Sequence, residues 1–157
     1  MRILDMSAGN RAVWFDKNYR DTVYVDIRPE VKPSIVADTR KLPFGASTFD
    51  LVVFDPPHVN FGKNAEMSKT YGYHTTDDIR DCVAKSAQQA HRTTRVGALM
   101  ALKWNDHSQK LERILGLMQE WWEPLFGHKV AMRTKHASAT RWVLLRRKDG
   151  NFYACLG

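Results

Sequence analysis

Phe49-Asp50-Leu51-Val52-Val53-Phe54-Asp55-Pro56-Pro57-His58 reads as a buried strand that ends in a carboxylate and two prolines. Neither proline carries an N–H and each fixes its own φ, so the turn after the strand is rigid and poor in donors. Carbonyls and the Asp55 carboxylate then face outward as acceptors, which suits an amino group with protons to give. A Pro-Pro turn that does nothing but reverse the chain is the plain alternative. Three shorter runs upstream share the form. Ile3-Leu4-Asp5-Met6 is an apolar strand followed by Ser7-Ala8-Gly9, Thr22 to Asp26 is a second strand, and Ser34 to Asp38 is a third. Arg11 to Lys17 is expected to form one or two helical turns.

Downstream the alternation continues. Residues 76–93 form a helix in this reading: Thr75 or Thr76 caps it, Asp77 and Asp78 suit its positive end, and Ile79, Val83, Ala87 and Ala90 share a face. Gly97 to Lys103 is a fifth strand. Ser108 to Trp122 is a second helix with Leu111, Ile114, Leu115 and Met118 inward, and Trp121 and Trp122 at its end pack into the core. His128 to Thr134 and Arg141 to Arg147 are two strands joined by residues 135–140. Strands alternating with helices over these lengths indicate parallel βαβ units, here closed by an antiparallel hairpin.

In such sheets ligands bind beyond the carboxyl ends of the strands, where strand order reverses. Asp5, Asp26, Asp38 and Asp55 all stand at that edge. An acid after the second strand is placed for two ribose hydroxyls and one after the third for an adenine amino group. Gly9 lets the backbone of the first turn approach a ligand. Together these residues describe a nucleoside site.

The residues resemble the class I S-adenosylmethionine-dependent methyltransferases. Ile3-Leu4-Asp5-Met6-Ser7-Ala8-Gly9 is similar to their first motif, Val25-Asp26 to the ribose-binding acid, and Ala37-Asp38-Thr39-Arg40-Lys41-Leu42-Pro43-Phe44 to the adenine-binding motif. Phe49 to His58 resembles the catalytic motif of methylases that act on exocyclic amino groups of nucleic acid bases. The stretches Asp55 to His58, Tyr71-Gly72 and Leu102-Lys103-Trp104-Asn105 also look like small methyltransferase-like proteins of phages and prophages. The length predicts a single domain over residues 1–157 and the alternation an open α/β sheet closed by a C-terminal antiparallel hairpin, which the resemblance makes a Rossmann-like doubly wound, mostly parallel sheet. The resemblance implies S-adenosylmethionine as cofactor, held by Asp5, Met6, Ser7, Ala8, Gly9, Asp26, Ile27, Asp38, Thr39 and Asp55. Catalysis falls to Asp55, Pro56, Pro57 and His58, with the Asp55 side chain and the Pro56 carbonyl accepting from the substrate amine so that its lone pair turns toward the methyl group.

Two departures stand out. The first loop is Ser7-Ala8-Gly9-Asn10-Arg11, without the Gly-x-Gly-x-Gly of the wider family. His58 stands where amino-methylases of nucleic acids carry a Tyr, Phe or Trp to stack on an extruded base; an imidazole stacks less well and can accept a proton or bind a phosphate.

Residues 59–75 lack periodicity and interleave basic and aromatic side chains, including Lys63, Lys69 and Tyr71, which suits backbone contact and base stacking; a surface Ω-loop fits as well. Lys103 and Trp104 end the fifth strand at the same edge, Trp104 either as a base-stacking surface or as core. Lys135 completes the candidate substrate-binding residues, although a solvated turn explains it equally well.

Composition bounds the partners. The chain has 157 residues, 43% of them hydrophobic and 26% charged, as in a soluble globule. No apolar run reaches membrane-spanning length, the N-terminus lacks a signal pattern, and Cys82 and Cys155 offer neither a disulfide framework nor a metal spacing. A reduced, cytoplasmic protein with no metal and no membrane partner is expected. The net charge of +7 is concentrated at one end: residues from His128 onward hold seven Lys/Arg and a single acid, Asp149. That is either a polyanion-binding lip or the solvated face of a hairpin. Amino-directed methylation of DNA or RNA is the leading expectation, at N6 of adenine or N4 of cytosine. The absence of a separate target-reading domain favours a small-molecule or protein substrate, or a homodimer or partner subunit that supplies the reading surface. A cofactor-binding regulatory module is the third possibility.

Overall fold

A computed structural model of the chain describes residues 1–58, 75–129 and 139–149. Lys63, Lys69, Tyr71 and Lys135 lie outside the described residues, as does Cys155. Among the described residues the strands are β1 (Ile3–Asp5), β2 (Thr22–Asp26), β3 (Ile35–Val36), β4 (Phe49–Phe54), β5 (Thr94–Asn105), β6 (Trp122–Lys129) and β7 (Thr140–Arg147), with helices α1 (Thr76–Thr93) and α2 (Leu111–Met118). They form one sheet in the order β3-β2-β1-β4-β5-β7-β6. The first five strands run parallel, and β7 is antiparallel to both β5 and β6. The expected doubly wound, mostly parallel sheet with a C-terminal antiparallel hairpin is therefore observed. Strand order reverses between β1 and β4, and this brings the ends carrying Asp5 and Asp55 side by side.

Helix α1 has the expected bounds. Thr75 Oγ1 accepts from the Asp78 N–H at 3.1 Å while Asp78 Oδ2 accepts from the Thr75 N–H at 2.8 Å, a reciprocal cap. Ile79, Val83, Ala87 and Ala90 are fully buried, in one cluster with Val52, Phe54, Met100 and Leu102 of the sheet. Replacing Thr75 with alanine is expected to cost about 1 kcal/mol, read by urea denaturation.

Three expectations are corrected. Residues 11–17 form turns, not helix. Gly9 and Arg11 both have positive φ (48° and 55°), a reversal that no helix tolerates. The Arg11 guanidinium then ties the segment down through Lys17 O (2.7 Å), Asn18 Oδ1 (2.8 Å) and Lys32 O (2.9 Å), and lies 4.1 Å over the Tyr24 ring. The second helix stops at Met118, and Trp122 belongs to β6. Its indole N–H donates to Ala87 O on α1 at 3.0 Å, which anchors the start of the strand inside the core. β6 thus begins six residues before His128, the expected start. It tolerates Pro124 because it is an edge strand, with the pairing shifted between Pro124 and Phe126. Among the described residues, no helix is long and apolar enough to cross a membrane.

Candidate functional site

The first turn is built by spending its donors. The N–H groups of Met6, Ser7, Ala8 and Gly9 go to Val53 O (3.1 Å), Asp5 Oδ1 (3.3 Å), Val25 O (2.9 Å) and Asp26 Oδ2 (2.8 Å). Four consecutive amides are therefore satisfied inside the protein. A pyrophosphate-binding turn needs such amides free and aimed at the ligand. This turn can admit a nucleoside beside it but has no amide cradle for a phosphate.

The four strand-end acids stand at the sheet edge as expected, yet each is already engaged. Asp5, 2% exposed, accepts from the Trp14 indole N–H at 2.7 Å as well as from Ser7. Burial raises its carboxyl from 3.8 to about 6, against the two hydrogen bonds and with help from the charges of Asp55 and Asp26. Between these values the folded chain holds a proton that the unfolded chain has lost, so stability falls as pH rises. The contribution is complete below pH 3.8 and gone above about 6, on the order of 3 kcal/mol in all. Urea denaturation from pH 3.5 to 7 should show this slope in the native protein and lose it in Asp5→Asn.

Asp26 is 7% exposed and accepts from Gly9 N–H, from Arg28 N–H at 2.9 Å and from Arg28 Nε at 3.1 Å. Burial pushes its carboxyl up, but the bonds from Arg28 and Gly9 prevail and hold it below the usual range. Ile27 beside it is exposed (61%), an apolar surface at the rim. Asp38 is gripped by Arg40, with Nη2 at 2.7 Å and Nε at 3.0 Å, and those hydrogen bonds lower its carboxyl. Thr39 turns away, its hydroxyl 2.7 Å from Ser86 Oγ on α1. A ribose or an adenine reaching Asp26 or Asp38 would have to displace an arginine. Neither Arg28 nor Arg40 is among the expected site residues, although the repeated Asp-x-Arg after β2 and β3 is a legible signal for both.

The turn after β4 is fastened at both sides. Asp55 N–H donates to Ser7 Oγ at 2.7 Å, which joins it to the first turn. Lys103 Nζ, from the end of β5, reaches Asp55 Oδ2 at 2.5 Å, so Lys103 is an ion-pair partner of the expected catalytic acid. Asp55 Oδ1 is buried without a hydrogen-bond partner among the described residues. Pro56 is buried, and its carbonyl, expected to receive a substrate N–H, already receives His58 Nδ1 at 3.0 Å. The His58 and Trp104 rings meet edge to face with centroids 6.0 Å apart. Trp104 is wholly buried and its indole N–H donates to Gln109 O at 2.9 Å. It offers no face for a base to stack on; its place is beneath His58.

The basic end of the chain is largely neutralised where it is described. Arg141 pairs with Asp106 (2.9 Å), Arg146 with Glu123 (2.6 Å) and Arg147 with Asp149. A cavity of about 340 Å³ lies by α2 and the hairpin, lined by Leu111, Leu115, Leu125, Phe126 and Trp142 among others, and shares no residue with the Asp55 turn.

Comparison with known proteins agrees with the fold. No family model and no curated protein matches the sequence. Solved structures do match over nearly the whole chain. A SAM-dependent methyltransferase from Methanosarcina mazei superposes with a TM-score of 0.65 at 11% identity, covering 92% of this chain and 91% of that one. The N-methyltransferase NodS from Bradyrhizobium japonicum, in complex with S-adenosyl-L-homocysteine, gives 0.63 at 10%, covering 94% and 78%. The [4+2]-cyclase SpnF gives 0.65 at 10%, covering 95% and 76%. At these identities the likeness is one of fold, and the cyclase among the neighbours means that activity has to be argued from the site.

Proposed function

We propose that this chain is an S-adenosylmethionine-dependent methyltransferase that modifies a nitrogen, the exocyclic amino group of adenine or cytosine in DNA or RNA. The observation that carries the cofactor class is the first turn, whose four amides are all spent internally. A cofactor held there must do without a phosphate, as S-adenosylmethionine does. When bound, it supplies an electrophilic methyl group on a sulfonium. Asp5 and Met6 to Gly9 would line its passage over β1, Asp26 and Ile27 would meet the ribose as Arg28 gives way, and Asp38 would lie toward the adenine as Arg40 gives way, with Thr39 tied back to Ser86. Among the neighbours, SAM-dependent methyltransferases and NodS, an N-methyltransferase, support this direction.

The nitrogen acceptor rests on Asp55-Pro56-Pro57-His58. Asp55 Oδ1 is a buried acceptor with no hydrogen-bond partner among the described residues, at the switch point of the sheet, and in this reading a substrate N–H supplies the partner it lacks and orients the nitrogen lone pair. A small-molecule amine is the second reading, favoured by the ion pairs that occupy Arg141, Arg146 and Arg147. Reading a long nucleic acid site from so small a surface would call for a second copy or a partner subunit. The deciding experiment is transfer from methyl-labelled S-adenosylmethionine to total DNA, total RNA and a pool of small amines, followed by digestion to nucleosides. Label on an exocyclic nitrogen of one nucleoside supports the first reading, label on an amine the second. Absence of cofactor binding by calorimetry removes both.

A further inference from the structure

Three groups of the Asp55 turn are locked by the protein itself. Lys103 holds Asp55 Oδ2 at 2.5 Å and Ser7 Oγ holds the Asp55 N–H at 2.7 Å. The carboxylate therefore cannot exchange its oxygens without breaking an ion pair, and Oδ1 stays as the inward, unpaired one. The third lock is on the imidazole. His58 Nδ1 lies 3.0 Å from the Pro56 carbonyl, which can only accept, so Nδ1 carries the proton. In the neutral ring Nε2 is then a bare acceptor, and it has no hydrogen-bond partner among the described residues. Trp104 braces the ring edge to face from inside. A stacking platform needs none of this, whereas an imidazole with Nδ1–H fixed and Nε2 left as an acceptor suits a group that receives a proton.

We propose that His58 is the proton acceptor of the reaction, through Nε2, and that Lys103 is a positioning residue that, by holding Oδ2, leaves the buried Oδ1 of Asp55 as the oxygen a substrate N–H would meet. This rests on the methyltransferase reading above. The substrate nitrogen forms the bond to the methyl carbon as the carbon–sulfur bond breaks, its electron pair staying on sulfur, and one N–H proton passes to Nε2 and on to solvent. Asp55 Oδ1, 3.7 Å from Nδ1, faces the imidazolium that results and stabilises it. Among the described residues the charged group against the ring is Asp55, which in turn pairs with Lys103 and interacts with Asp5 at the end of β1.

Two measurements test this, one of them independent of turnover. Long-range proton–nitrogen correlation spectra of the imidazoles, assigned with His58→Gln, should show neutral His58 with its proton on Nδ1. A proton on Nε2 overturns the proposal. In the transfer assay, His58→Gln should lose roughly 10²–10⁴-fold in kcat and with it the fall in rate on the acid side of the profile, while cofactor affinity is kept. His58→Tyr, which restores a stacking ring, should not recover the rate. Lys103→Met should lower kcat while leaving the acid-side fall in place. A His58→Gln variant with native kcat and pH profile, or a His58→Tyr variant faster than the native protein, sinks the assignment and leaves the methyltransferase reading standing. A native protein that binds no cofactor in calorimetry sinks the wider reading, and the proposal with it.

Discussion

Asp55→Ala is expected to lose about 10³-fold in turnover while S-adenosylmethionine affinity stays within a few-fold of native. The reason is the division of labour within one carboxylate. Oδ2 belongs to Lys103 and Oδ1 is the buried oxygen without a partner among the described residues, the one proposed to meet the substrate nitrogen. Alanine removes the acceptor and frees the lysine in one stroke, and the lysine then places an ammonium where an N–H was to be received. Asp55→Asn is a sharper probe. Its carbonyl can stand in for Oδ1 only by aiming its NH₂ at Lys103, donor against donor, so the side chain is driven to flip and present the wrong face. Both variants should fold, because Asp55 and Lys103 are each about a quarter exposed in their side chains and a lone ammonium there can reach water. Label transfer and calorimetry on the same preparations check the claim. Native turnover in Asp55→Ala would remove this turn from the mechanism altogether.

The second large effect is on stability. Trp104→Ala is expected to cost about 3–5 kcal/mol, measured by urea or thermal unfolding. The indole is fully buried, in one cluster with Leu102, Leu111 and Val143, and its N–H is satisfied by Gln109. Alanine leaves a cavity and an unpaired carbonyl. It also removes the wall behind His58, so a milder Trp104→Phe should keep much of the stability yet loosen the imidazole. A base-stacking tryptophan would behave in the opposite way, with stability nearly unchanged and the Michaelis constant for a nucleic acid raised.

The sequence was most legible where the determinants are local. Helix α1 was readable to its ends because its cap, Thr75 with Asp78, and its apolar face lie within a few residues of one another. The strands and their terminal acids were readable from short apolar runs, and the strand-end site follows from that placement. Where contacts between distant residues decide, the reading failed. Nothing near Arg11 announces that its guanidinium will bridge to Lys32, and nothing near Trp122 that its indole will meet Ala87 on α1. The pairing of Lys103 with Asp55 spans 48 residues and exists only once β4 and β5 lie side by side. Four acids at a sheet edge were therefore easy to see, whereas their being already occupied was not. Arg28 and Arg40 are intermediate: each sits two residues after its aspartate, close enough to be read.

The strand order also governs the sequence of events by which the chain is completed. Among the described residues β7 is the last strand made, yet it lies between β5 and β6, and β6 pairs there with no other strand. During synthesis Trp122–Lys129 emerges with no strand to join, while the far side of β5 from Leu99 to Asn105 stands open as an unpaired edge. Such edges recruit other chains readily. A polypeptide released before Thr140 would therefore forfeit two strands at once and carry an adhesive border, so interrupting translation ahead of Thr140–Arg147 is more hazardous than the loss of one strand would suggest.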